Sequence, residues 1–123
     1  MNIKDHVAIV TGSGTGIGAA VALRLADQGV RVAVNCTKSL KEAEETLSAI
    51  KAKGADAVLA QGDVGNDDDC RRIATQVVDK WGRLDILVNN AGATVFADHA
   101  NLDGLTADDF LRIYRINVVG SFQ

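Results

Sequence analysis

Short apolar runs alternate with amphipathic stretches along the whole chain. Val7-Ala8-Ile9-Val10, Val30 to Val34, Ala57-Val58-Leu59-Ala60 and Ile86-Leu87-Val88 are the apolar runs. Between them, apolar residues recur at helical spacing. Ile17, Val21 and Leu25 share a face of a helix expected from Ile17 to Gln28, and Leu40, Ala43, Leu47 and Ile50 mark a second helix. Ile73, Val77 and Trp81 mark a third. Gly29, Gly54 and Gly82 follow these stretches as C-terminal caps do. Asn66-Asp67-Asp68-Asp69 suits a helix start, where carboxylates meet the positive end of the dipole. Thr106-Ala107-Asp108-Asp109 is a capping-box pattern, and it opens a last helix, Thr106 to Phe122, that carries Phe110, Ile113, Tyr114 and Asn117.

Strand starts near positions 7, 31, 57 and 85 are 24, 26 and 28 residues apart, so one βαβ period repeats. Continuous apolar strands belong in a parallel sheet covered on both faces. Right-handed crossovers then give an α/β fold with an open, doubly wound sheet in the order 3-2-1-4. Nothing between 1 and 123 reads as a linker, so a single domain is expected.

Composition narrows the function. Hydrophobic residues make up 47% of the chain, enough for a core, and 13 basic against 16 acidic residues are spread without a basic block. That argues against a nucleic-acid partner, as does an aromatic content of 4%. No apolar run reaches the roughly 20 residues of a membrane span, and the start, Met1 to His6, has no signal-peptide stretch. Cys36 and Cys70 fit neither a disulfide framework nor a zinc site, so a reducing cytoplasm is the expected location. Proline is absent, where about 5% is usual.

The chemistry begins at Thr11-Gly12-Ser13-Gly14-Thr15-Gly16-Ile17-Gly18, between the first strand and the first helix. Such a cluster by itself fits a flexible loop. Placed here, it lets a phosphate approach the backbone and meet the free N–H groups of the first helical turn. Gly12 is expected to allow the tight turn, Gly16 the close approach and Gly18 the packing of helix on sheet. The spacing is T-G-x-x-x-G-x-G, with no Lys-Ser or Lys-Thr after it, so it is not an ATPase P-loop.

Three more stretches follow in order: Asp63-Val64 after the third strand, Asn89-Asn90-Ala91-Gly92 after the fourth, and Ile116-Asn117-Val118 in the last helix. Taken singly, Asp63 fits a surface loop, the paired asparagines fit a turn, and Asn117 fits an ordinary helical surface. Together with the glycine loop, they resemble the short-chain dehydrogenase/reductase family across essentially the whole chain. The resemblance implies a Rossmann-type fold that binds a dinucleotide at the switch point of the sheet. It implies that Gly12 to Gly18 hold the cofactor and that Asp63 and Val64 meet the adenine. Asn89 would brace the sheet while Asn90, Ala91 and Gly92 line the ribose and nicotinamide side. Asn117 is implied as the catalytic-site asparagine, whose main chain holds a water. The last helix resembles the one through which family members pair, so the full-length form is expected to be a homo-oligomer.

The second strand bears on the choice of cofactor. NAD-binding domains of this type carry an acid about 20 residues after the glycines, on the ribose hydroxyls. Here the positions read Asn35-Cys36-Thr37-Lys38, and the first acid is Glu42. No carboxylate would repel a 2′-phosphate, and Lys38 could pair with it. Thr15 stands where the family often has a basic residue inside the loop. NADP(H) is therefore expected over NAD(H), with Thr37 and Lys38 at the phosphate.

By resemblance, the reaction is hydride transfer between nicotinamide and a small-molecule carbonyl or alcohol, a ketoacyl-type reductase being the first reading. The rival class is a redox-inert dinucleotide-binding module. The family's catalytic serine and Tyr-x-x-x-Lys pair have no counterparts here. Tyr114 is the only tyrosine, and its fourth following residue is Val118. The expectation is a truncated cofactor-binding half, inactive alone. A shortened reading frame and a stand-alone module rank behind a truncated piece.

Overall fold

A computed structural model describes residues 1–123. The strands β1 (Val7–Val10), β2 (Arg31–Cys36), β3 (Ala57–Gln61) and β4 (Ile86–Val88) alternate with the helices α1 (Gly16–Asp27), α2 (Leu40–Ala52) and α3 (Asp67–Trp81). They form one parallel sheet in the order β3-β2-β1-β4, as the repeating period predicts. Register places Ala8 against both Val32 and Ile86, so β1 and β4 end together at the carboxyl edge, while β2 runs on to Cys36.

Side chains alternate across the sheet, which explains the unbroken apolar runs. Ala8, Val10, Val32 and Val34 face one side and pack with Ala22 and Ala26 of α1 and Ala43 and Ile50 of α2. Val7, Ile9, Ala33 and Ala60 face the other side and pack on Ile73 and Val77 of α3. Each element thus buries a face against helices of opposite layers.

Sequence and structure differ in α1. The stripe of Ile17, Val21 and Leu25 does not form its buried face; Gly18, Ala22 and Ala26 do, and Ile17 is 77% exposed. Small residues let the helix axis approach the sheet, so the large apolar side chains fall at its margins and Val21 and Leu25 are only partly covered.

Helix ends follow their local chemistry. Gly29, Gly54 and Gly82 all take left-handed backbone after α1, α2 and α3. The Asn66 side chain accepts from the Asp69 N–H at the start of α3. Thr106 and Asp109 form the reciprocal capping box at the start of α4 (Ala107–Tyr114). The last helix is not uniform. After α4 comes a π-helical turn, Arg115–Val119, and then a closing turn, α5 (Gly120–Phe122).

The two sheet edges are unlike. On β3, Gln76 Nε2 donates to the Leu59 carbonyl at 2.9 Å and an Arg72 guanidinium nitrogen donates to the Gln61 carbonyl at 2.9 Å. Both side chains come from α3. On β4, no side chain bonds to the main chain of Ile86 or Leu87, and Leu87 is 56% exposed.

Candidate functional site

The loops that leave the carboxyl ends of all four strands enclose a cleft of about 580 Å³. The first loop supplies Gly12, Gly14, Thr15, Gly16 and Ile17 to its wall, and the second supplies Thr37 and Lys38. Asp63 and Val64 come from the third, and Asn90, Ala91 and Gly92 from the fourth. Residues scattered through the sequence therefore meet because parallel strands end on one side of the sheet.

Two of the expected cofactor residues do not line the cleft. Ser13 is fully buried. Its Oγ donates to the Val10 carbonyl at 2.7 Å and accepts the Asn35 N–H at 2.9 Å. Gly18 meets loop, not sheet: a Cβ there would overlap Asn90 Nδ2 and the Gly12 carbonyl. The packing expected of Gly18 between helix and sheet is thus between helix and glycine loop.

The bracing expected of Asn89 falls to Asn90. Asn89 is exposed, while Asn90 Nδ2 donates to the carbonyls of Thr11 and Gly12, both at 3.0 Å. These oxygens lie where the loop leaves β1, and an amide with two donors satisfies both. Thr11 Oγ1 completes the link. It donates to the Val88 carbonyl at 3.3 Å and accepts the N–H groups of Asn90 and Ala91, each at 3.0 Å.

Asn117 does not line the cleft but fixes a residue that does. Its Oδ1 accepts the Ala93 N–H at 2.7 Å and its Nδ2 donates to the Ala93 carbonyl at 3.0 Å. Asn117 lies within the π-helical turn, a feature concentrated at functional sites. Tyr114 is 59% exposed and outside the cleft.

The electrostatics favour an anion. At the cleft, the starts of α1 and α2 are Thr15 and Ser39, and neither caps its helix with its side chain. By contrast, α3 and α4 are capped. The first turn of α1 carries no acid, so its N–H groups and dipole remain available. Gly16 has φ +58° and nothing within 4 Å of where a Cβ would stand, which leaves an open cradle. The charged wall residues are Lys38, Arg112 and Asp63, and Lys38 makes no ion pair. Asp63 Oδ1 accepts the Gly65 N–H at 2.8 Å.

Cys36, almost fully buried, closes the wall beside Thr37. Burial pushes its thiol pKa up, and Glu42 and Glu44 add to the rise, so it presents a small protonated wall group. Sequence reasoning did not place Ser39, Ala93, Arg112 or Ile116 in the site, although all four line it. Arg112 and Ile116 are four apart on one helical stretch, a signal legible only once that stretch is known to cross the cleft.

Comparison with known proteins agrees with this geometry. The family model described as short chain dehydrogenase matches residues 6–123. The versicolorin reductase stcU of Emericella nidulans is 41% identical over 120 residues, covering 98% of this chain and 44% of that protein. The short-chain dehydrogenase/reductase homolog YusS of Bacillus subtilis is 42% identical over 108 residues, 88% of this chain and 99% of YusS. A solved short chain dehydrogenase from Burkholderia cenocepacia in complex with NADP superposes with a TM-score of 0.89 at 38% identity, covering 99% of this chain and 49% of that one. The chain spans less than half the length of the versicolorin reductase and about half that of the Burkholderia enzyme. With the motifs, the sheet order and the match over residues 6–123 in agreement, the chain belongs to the short-chain dehydrogenase family.

Proposed function

We propose that these residues form the cofactor-binding part of an NADP(H)-dependent reductase that passes hydride between nicotinamide and a small-molecule carbonyl or alcohol. The observation that carries the cofactor choice is the end of β2. Thr37 and Lys38 stand in the cleft wall, and the only acid in that wall is Asp63, after β3. The open cradle at Gly16 and the uncapped α1 fit a pyrophosphate. The NADP complex of the Burkholderia relative supports the same reading.

When bound, the cofactor supplies the hydride. This chain's part is to hold it. Gly12, Gly14, Thr15, Gly16 and Ile17 would face the phosphates, Thr37 and Lys38 the ribose phosphate, Asp63 and Val64 the adenine. Asn90, Ala91 and Gly92 would face the nicotinamide side, with Ser13 and Gly18 shaping the loop from behind. Asn117 would keep Ala93, and so the nicotinamide wall, in place. No residue here can hold or move the proton as a tyrosine in Tyr-x-x-x-Lys would, so these 123 residues alone bind without turnover.

The exposed apolar side chains of the last helix, Phe110, Leu111, Tyr114, Val118 and Phe122, support homo-oligomer formation by the full-length protein. No helix is long and apolar enough to cross a membrane. The two free thiols suit a reducing compartment such as the cytoplasm.

A second reading is a non-catalytic dinucleotide-binding module. YusS favours it, because this chain matches nearly all of that protein. Titration of the full-length protein with NADPH and NADH, followed by NADPH oxidation against a panel of ketones, tests both. Tight NADPH binding with turnover supports the reductase. Tight binding with no turnover on any ketone supports the module, and preferential NADH binding overturns the cofactor choice.

A further inference from the structure

Asn35, in the buried end of β2, is 2% exposed yet forms part of the cleft floor. Its Oδ1 accepts the Gly12 N–H at 2.9 Å. Its Nδ2 donates to the carbonyls of Ala60 at 2.8 Å and Gly62 at 3.2 Å. On its main chain, the N–H donates to Ser13 Oγ at 2.9 Å and the carbonyl accepts the Ser13 N–H at 2.8 Å. One residue thus ties the glycine loop to the ends of β2 and β3. Gly12, at φ +61°, is gripped from both sides, its N–H by Asn35 and its carbonyl by Asn90.

We propose that Asn35 is the positioning residue of this cleft. It sets where Gly12 presents the loop and, with both amide donors held by the carbonyls of Ala60 in β3 and of Gly62 just after it, leaves ribose recognition to Thr37 and Lys38. The orientation of the amide is unambiguous, because one end faces an N–H and the other faces two carbonyls. It follows that an acid at position 35 does not act as a ribose ligand. It turns a charged oxygen onto the Ala60 and Gly62 carbonyls inside a buried strand, where it is costly.

This inference rests on the cleft being a dinucleotide site, and the test keeps the two apart. In the full-length protein, Asn35→Asp is compared with wild type for NADPH and NADH binding by fluorescence titration, with folding followed by circular dichroism. At about pH 8 the variant should bind both cofactors more weakly by roughly tenfold or more, with their ratio unchanged. On acidification to about pH 6 the buried carboxyl takes up a proton, regains a donor for Ala60, and binding should recover relative to wild type. A merely structural defect would show no such pH profile. Asn35→Ser, which adds no charge, covers the case in which the aspartate variant does not fold; it too should weaken both cofactors equally. Wild-type affinity in Asn35→Asp, a swing toward NADH, or loss of NADPH binding alone in either variant would overturn the proposal. A wild-type protein that binds neither cofactor would instead sink the reading of the cleft.

Discussion

Asn117 reads the main chain of Ala93 on both sides, accepting from its N–H and donating to its carbonyl. A side-chain amide here replaces a strand neighbour: it pins the segment that leaves β4 to a helix more than twenty residues further on.

Replacing Asn117 by alanine should therefore loosen the Gly92–Ala93 wall. Both bonds are partly solvent-accessible, so the expected loss of stability is about 1 kcal/mol. NADPH affinity should fall more than stability does. Thermal unfolding and fluorescence titration check the two, and a variant with unchanged affinity would place Ala93 outside the cofactor's reach.

Gly18 and Gly16 should respond differently to alanine. At Gly18 the methyl overlaps Asn90 Nδ2 and the Gly12 carbonyl, so the loop must shift, at a cost of about 1–3 kcal/mol as in overpacked cores. At Gly16 the space is open and only the left-handed backbone, φ +58°, resists, for about 1 kcal/mol. Chemical denaturation of both variants gives the order; Gly16→Ala as the more damaging would contradict it.

Lys38→Glu tests the cofactor choice separately from the loop. NADPH binding should weaken by about ten- to a hundredfold, while NADH binding stays near wild type. An unchanged NADPH-to-NADH ratio would remove Lys38 from the ribose phosphate.

Acid stability should depend on Asp85. Its carboxylate is held below the ordinary range first by Arg83 and then by the Val7 N–H. Asp69, bonded by the Asp63 N–H and by Arg72, and Asp109, bonded within the Thr106 capping box, are lowered too. A depressed folded-state pKa gives stability that is complete above the unfolded value and lost as pH falls through the folded one. The loss should therefore begin near pH 4 and deepen below it. Asp85→Asn should flatten that acid limb in urea melts taken across the range, and an unaltered slope would show that the pairing has no weight.

The sheet order was legible in the sequence because apolar runs at a steady period admit few topologies. Gly29, Gly54 and Gly82 were legible as stops because the left-handed backbone favours glycine. The buried face of α1 was not, since Gly18, Ala22 and Ala26 carry little hydropathy while Ile17 and Leu25 carry much. Around the site, the resemblance to the family points to the glycine loop, Asp63 and Asn90, and to Asn117 beside the cleft. Arg112 and Ile116 escaped because their place depends on how the last helix crosses the strand ends. In the sequence Asn35 is only a neutral residue near the end of the second strand; its importance lies in bonds to Gly12, Ala60 and Gly62 that only the folded chain creates.

The caps that Gln76 and Arg72 place on the β3 carbonyls give the sheet a direction of growth. A strand arriving at β3 would have to evict two side chains from acceptors they already satisfy. A strand arriving at β4 displaces nothing at Ile86 or Leu87. Any lengthening of this sheet, whether by the same polypeptide or by a neighbouring molecule, is thereby steered to one flank, and recruitment of strands by backbone pairing is discouraged on the other.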